Sequence, residues 1–255
     1  MNPTLKEIIL FGGEKKANTI LLNCDAGLMD FSITGGKNVL WTFPDGTTST
    51  VSRPAKTIEK GIVSLYCSNW GDPTLQLNDN GTDSRFRGKL ADFQGKLTYY
   101  LYLYNCTNIT GSLADLQGKL TYYLGLYNCT SITGSLADLQ GKLTYYLDLY
   151  NCTSITGSLA DLQGKLTYYL DLSNCTNITG VYTPSGTGTP TFTILTGTGL
   201  STADMDNTLI AYAGAITPKS NGTFTATGKT RSTASDAAVA TLLGRGWTIS
   251  GLVVV

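Results

Sequence analysis

Residues 88–180 are one 23-residue unit written four times. The copies begin at Gly88, Gly111, Gly134 and Gly157, and their register never slips. The second and third copies differ at a single position, Gly125 against Asp148. A period of this length marks a stacked repeat architecture. One copy cannot bury its own apolar face, so neighbouring copies must share a core.

Within a unit the apolar pattern changes period. In the third copy Leu147, Leu149, Cys152 and Ile155 read L-x-L-x-x-C-x-x-I, followed by Thr156 and Gly157. The L-x-L alternation predicts a short strand with one buried face. The Gly turns the chain, and the segment LADLQGK returns it to the next strand. This short, Gly-containing return predicts an irregular or one-turn 3₁₀ path, not a full helix. Copies stacked about 4.8 Å apart bury a continuous column of Leu and Ile. The run resembles the leucine-rich repeat family, in the variant with Cys where Asn often stands. It departs from the common L-x-x-L-x-L form because Thr144, Tyr145 and Tyr146 all lie between Leu143 and Leu147. The resemblance implies a leucine-rich-repeat-like parallel β solenoid.

Alternation also sorts the outward side chains. With Leu101 and Leu103 inward, Tyr100, Tyr102 and Tyr104 point out. The matching sets are Tyr123, Gly125 and Tyr127; Tyr146, Asp148 and Tyr150; and Tyr169, Asp171 and Ser173. These residues predict a Tyr-rich surface that both stabilises the sheet by stacking and offers contact area to a partner. Cys106, Cys129, Cys152 and Cys175 share one repeat position and should stack as a buried ladder. No second ligand is near them within a unit, so a buried thiol that bonds backbone is expected, not a metal or redox site. The pairing of Cys24 and Cys67 is open. Asp92, Asp115, Asp138 and Asp161, with Lys96, Lys119, Lys142 and Lys165, predict two solvated rows of opposite charge that offset each other.

The composition narrows function. There is no histidine, which removes the commonest general base and every Ser-His or Cys-His dyad. Charged residues are 14% and the net charge is zero, so no basic excess points to nucleic acid. Asp148 and Asp171 are stacked neighbours, but on an open strand face they make no catalytic cleft. No catalytic residue, metal site or cofactor is expected. The apolar stretch Ile8 to Phe11 is short, with Glu7 before it and Lys15 and Lys16 after, so no classical signal peptide is seen. No segment has the length of a membrane span.

Residues 1–87 lie before the repeats. Asp45-Gly46 between alternating apolar residues predicts a hairpin, with Trp41 and Phe43 on one face and Val63 and Leu65 on another strand's. The segment resembles the W-x-F-G-D-G-T stretch of polycystic-kidney-disease-type (PKD-like) β-sandwich domains, with Pro44 where that family has Gly. This resemblance implies a surface-displayed sandwich that serves as spacer or adhesion module. Asn78, Asp79, Asn80, Gly81, Thr82 and Asp83 form an acidic turn that lacks the closing bidentate Glu of a calcium loop and reads as a plain loop.

Residues 181–200 read as a linker with a degenerate repeat, in which Phe192, Ile194, Gly197 and Leu200 keep the inward spacing. In 201–255, Ser201 or Thr202 caps a helix through about Ala215, and GTFTATG is a strand. Thr233 or Ser235 caps a second helix through Leu243, and WTISGLVVV is a closing strand. This αβ region caps the stack, so the whole reads as mainly β, with α+β character at the C-terminus. The PKD-like segment, the repeats and the tail ASDAAVATLLGRGWTIS together are similar to tail-associated and surface proteins of bacteriophages and to related bacterial surface proteins. That resemblance implies a virion or extracellular surface location. It implies partners among proteins or glycans of a host or cell surface, or other virion subunits. The reading is a non-enzymatic structural or adhesive protein, with homo-oligomerisation open. Its alternative is a monomeric recognition module that binds a protein or glycan through the Tyr face.

Overall fold

The computed structural model describes residues 18–28, 31–68, 74–78, 86–94, 96–97 and 99–255. The fold is mainly β, with parallel strands stacked turn upon turn and a small helical part at the C-terminus. Each 23-residue unit contributes a strand to each of two sheets. The front sheet takes Tyr100–Tyr104, Tyr123–Gly125, Tyr146–Asp148 and Tyr169–Asp171 in parallel register. The rear sheet takes Ile109–Ser112, Ile132–Ser135 and Ile155–Ser158, followed by Ile178–Thr179. The sequence pattern predicts only the front strand of each unit. The repeat Gly, a turn by the sequence pattern, lies instead inside the rear strand, with φ of +127° at Gly111, +107° at Gly134 and +117° at Gly157. That backbone region belongs to glycine. A Cβ on Gly134 would also fall 2.6 Å from Ser112 Oγ and 2.8 Å from the Leu113 nitrogen.

The core between the sheets follows the repeat. Leu101, Leu124, Leu147 and Leu170 form one fully buried column, and Leu103, Leu126, Leu149 and Leu172 a second. Each Leu contributes about 1.5–3 kcal/mol by leaving water. The return is the expected single 3₁₀ turn, Leu113–Leu116, Leu136–Leu139 and Leu159–Leu162. Its cap explains the conserved spelling of the return segment within the chain. Ser135 Oγ accepts from the Ala137 N–H at 3.2 Å, and Asp138 Oδ2 accepts from the Ser135 N–H at 2.8 Å. The same pair recurs as Ser112 with Asp115 and Ser158 with Asp161. The Asp row thus has a structural duty beside its charge. These Asp carboxylates turn onto their own cap amides, because the first N–H groups of a helical turn have no partner within it and an Asp three residues after the cap reaches them.

The strands nearest the N-terminus continue both sheets. Thr19–Cys24 pairs antiparallel with Phe86–Lys89 and with Gly61–Tyr66, which pairs in turn with Leu40–Thr42. Phe31–Thr34 and Thr74–Asn78 extend the front sheet. The expected hairpin is present: Leu40–Thr42 pairs with Thr48–Ser49 around Gly46, whose φ is +80°. Trp41, Phe43, Val63 and Leu65 are buried, as their alternation predicts. Of the acidic turn, residues 79–83 lie outside the described residues.

Beyond the fourth copy the front sheet runs on through Phe192–Ile194, Thr223–Arg231 and Thr248–Val254, all parallel. The inward positions here correct the sequence reading by one residue. Thr193 and Leu195 are fully buried, whereas Phe192 is 37% exposed and Ile194 aligns with Asp171. A strand side chain has a period of two, so this shift exchanges the faces of the whole strand. The 23-residue step from Leu170 to Thr193 in fact persists. Thr193 takes a Leu place because its hydroxyl meets the Tyr212 hydroxyl at 2.8 Å. Helix α1, Thr202–Ala213, supplies that Tyr and is capped by Ser201 with Asp204. Helix α2, Asp236–Gly244, follows a 3₁₀ turn at Thr233–Ser235. Asp206 of α1 is buried and accepts from the Ser232 and Ser235 hydroxyls, each at 2.6 Å. This bonding ties the two helical segments together.

Candidate functional site

The exposed side of the front sheet carries aligned tyrosines. The parallel register puts Tyr100, Tyr123, Tyr146 and Tyr169 on one line. Their ring centroids are 3.9, 3.9 and 4.5 Å apart, with planes within 17° of parallel. Tyr104, Tyr127 and Tyr150 form a second line at 4.7 and 4.4 Å. All seven are half-buried, each ring covering its neighbour. A third line escapes the alternation argument: Tyr99, Tyr122, Tyr145 and Tyr168, stacked at 4.4, 4.4 and 4.8 Å. Counted back from Leu101 by twos, Tyr99 would face inward. However, the strand begins at Tyr100, so the period of two does not reach back to Tyr99. The repeated Tyr-Tyr doublet was the available signal.

Between the first two lines lies the position that varies among the copies: Tyr102, Gly125, Asp148 and Asp171. A Cβ at Gly125 would fall 2.3 Å from Tyr102 Cδ2, so the Tyr102 ring lies across the space that an Asp side chain would take. The only difference between copies two and three is thus a fit to the ring from copy one.

Asp148 and Asp171 depart from expectation. They are not on an open face but only 5% and 6% exposed. Local bonds hold each one. Asp148 Oδ1 accepts from the Tyr150 N–H at 3.0 Å, and its Oδ2 accepts from the Tyr146 hydroxyl at 3.4 Å. Asp171 Oδ1 accepts from the Ser173 N–H at 2.8 Å and from the Ser173 hydroxyl at 2.6 Å, while its Oδ2 accepts from the Tyr169 hydroxyl at 3.2 Å. The two carboxylates sit on paired residues of adjacent strands. Burial, and then the neighbouring Asp171 charge, push the Asp148 carboxyl up to about 6, against the pull of its two hydrogen bonds. Burial also raises the phenols of Tyr102, Tyr123, Tyr146 and Tyr169, so these hydroxyls stay neutral donors at ordinary pH.

The cysteine ladder is internal. Cys129, Cys152 and Cys175 donate to the carbonyls of Leu103, Leu126 and Leu149, one turn back, at 3.5, 2.9 and 3.0 Å. Burial raises their thiols, Cys175 to about 12. Cys24 and Cys67 donate to the Leu22 and Lys37 carbonyls. Among the described residues no group of three or more His, Cys, Asp or Glu is placed to hold a metal ion, and no helix is long and apolar enough to cross a membrane.

The face can therefore do two things chemically. It presents ring edges and hydroxyls at the spacing of the strands, and it holds a buried carboxylate pair beneath them. Neither a family model, nor a curated protein, nor a solved structure matches this chain.

Proposed function

We propose that the chain is a leucine-rich-repeat-like solenoid acting as a non-enzymatic structural or adhesive surface protein, with the Tyr face as its contact surface. The observation that carries this reading is the alignment of the tyrosine lines on one continuous sheet face. Tyrosine offers large area with little rotamer entropy to lose, and the stacking removes most of that loss in advance. The ring planes already face one another, so the surface offers edges and hydroxyls rather than open π-faces. That favours a protein partner, met by hydrogen bonds and edge contacts, over a glycan that stacks on rings. A virion or tail setting follows from the resemblance in repeats and tail segment, and other subunits of such an assembly are the partners it suggests.

The test is the mass of the chain in solution by light scattering, with electron microscopy of the same sample. The Tyr104→Ser/Tyr127→Ser/Tyr150→Ser variant is measured beside it. A defined oligomer that the variant loses, with its circular dichroism unchanged, supports assembly through this face. A monomer in both redirects the reading to recognition, tested next on protein and glycan arrays. Assembly and binding that survive the triple substitution leave the Tyr lines with a purely structural role.

A further inference from the structure

Tyr99, Tyr122, Tyr145 and Tyr168 occupy equivalent places in successive turns. Backbone bonds hold that equivalence: Tyr123 N–H to Tyr99 O, Tyr146 N–H to Tyr122 O, and Tyr168 N–H to Tyr145 O. Ring planes along the line are within 7° of parallel, and centroids are 4.4 to 4.8 Å apart. Neighbouring rings of the line are thus stacked face to face at equivalent places of successive turns. That stacking keeps the carbons ortho to one phenol oxygen close to the next ring, with centroids under 5 Å apart. Tyr99 and Tyr168, at the two ends, are 40% and 37% exposed. The line through Tyr100 and Tyr169 is less accessible: two of its phenols donate to Asp148 and Asp171.

We propose that this outer tyrosine line is an intramolecular oxidative cross-linking site, where a peroxide-class one-electron oxidant joins neighbouring rings as dityrosine. Two phenols each lose one electron and one proton from O–H. The resulting phenoxyl radicals form one bond between ortho carbons. Each of those carbons then gives up its hydrogen as the ring regains its phenol. The balance is two electrons and two protons lost per link, taken up by one peroxide O–O bond. Holding the partners at contact replaces a diffusive encounter, and this is where fixed geometry gains most. Each link staples two adjacent turns. The inference does not rest on the adhesive reading, since it needs no partner.

The test treats the whole chain, at two dilutions, with photo-excited ruthenium tris-bipyridyl and persulfate, a small oxidant that needs no docking. Dityrosine is read by its fluorescence, and the links by mass spectrometry of proteolytic peptides. The expected product keeps the mass of one chain, less two hydrogens per link. Its links join Tyr99 to Tyr122, Tyr122 to Tyr145 or Tyr145 to Tyr168, with a yield per chain that does not change on dilution. The Tyr122→Phe/Tyr145→Phe variant keeps stacked rings but removes every adjacent phenol pair of the line, and must lose all three links. Should that variant misfold, Tyr122→Phe alone must lose two links and keep the one between Tyr145 and Tyr168. Absence of dityrosine, links only between chains, or an unchanged link map in the variants overturns the proposal.

Discussion

Replacing Asp148 by Asn tests the buried carboxylate pair. In the folded chain the Asp148 carboxyl is raised from the ordinary 3.8 to about 6. Between these values the folded chain holds a proton that the unfolded chain has released. Wild-type stability therefore falls as pH rises from about 4 to 6, and stays low above. The gap corresponds to about 3 kcal/mol. Asp148→Asn removes the charge at every pH. Its amide oxygen still accepts from the Tyr150 N–H, and its amino group can donate toward Asp171, the paired residue on the next strand. The expected result is a stability difference, variant minus wild type, that grows by about 3 kcal/mol between pH 4 and pH 7.5. The assay is urea unfolding of both proteins at each pH, in which that change moves a midpoint by roughly 1 M or more. A difference that is flat across this range, or one that shrinks with pH, would show that Asp148 is solvated or fully paired and would refute the reasoning.

Three further outcomes follow from the packing. Gly125→Asp makes copy two identical to copy three and drives a Cβ to within 2.3 Å of Tyr102 Cδ2. It should cost about 1–3 kcal/mol and alter the near-ultraviolet circular dichroism, and Tyr102→Ser should relieve most of that cost. Gly134→Ala meets both a positive φ of +107° and backbone 2.8 Å from its Cβ. It should lose more than about 1 kcal/mol in denaturant unfolding, whereas Ala at an exposed repeat position should be neutral. The Cys129, Cys152 and Cys175 thiols are fully buried and bonded to carbonyls. They should resist iodoacetamide in the folded chain and alkylate only after unfolding, as peptide mass spectrometry will read.

Much of the architecture was legible because the repeat makes each local preference count four times. The inward Leu, Cys and Ile positions, the 3₁₀ return and the Asp45-Gly46 hairpin all come from short-range rules. So do the two C-terminal helices, read from their caps. The rear strand was missed because Ile155, Thr156, Gly157 and Ser158 hold only one large apolar residue and a glycine, and strand periodicity has nothing to register in such a segment. The slip at Phe192 arose where a Thr replaces a Leu. Thr193 is inward only because Tyr212, nineteen residues later, supplies a hydroxyl for it. Asp148 and Asp171 looked open because alternation assigns a face but not its depth. That depth comes from tyrosines of several turns.

The sequence by itself determined the period, the composition of the shared core and the set of residues on each face of the repeats' front strands. These are consequences of side-chain alternation and of a unit too short to fold alone. Only the tertiary structure decided that Gly125 makes room for Tyr102, that a third tyrosine line stands beside the two expected, and that two carboxylates are buried together. Each of these depends on which atoms of one turn meet those of the next. That is set by the stacking of whole turns, and no single unit of the sequence contains it.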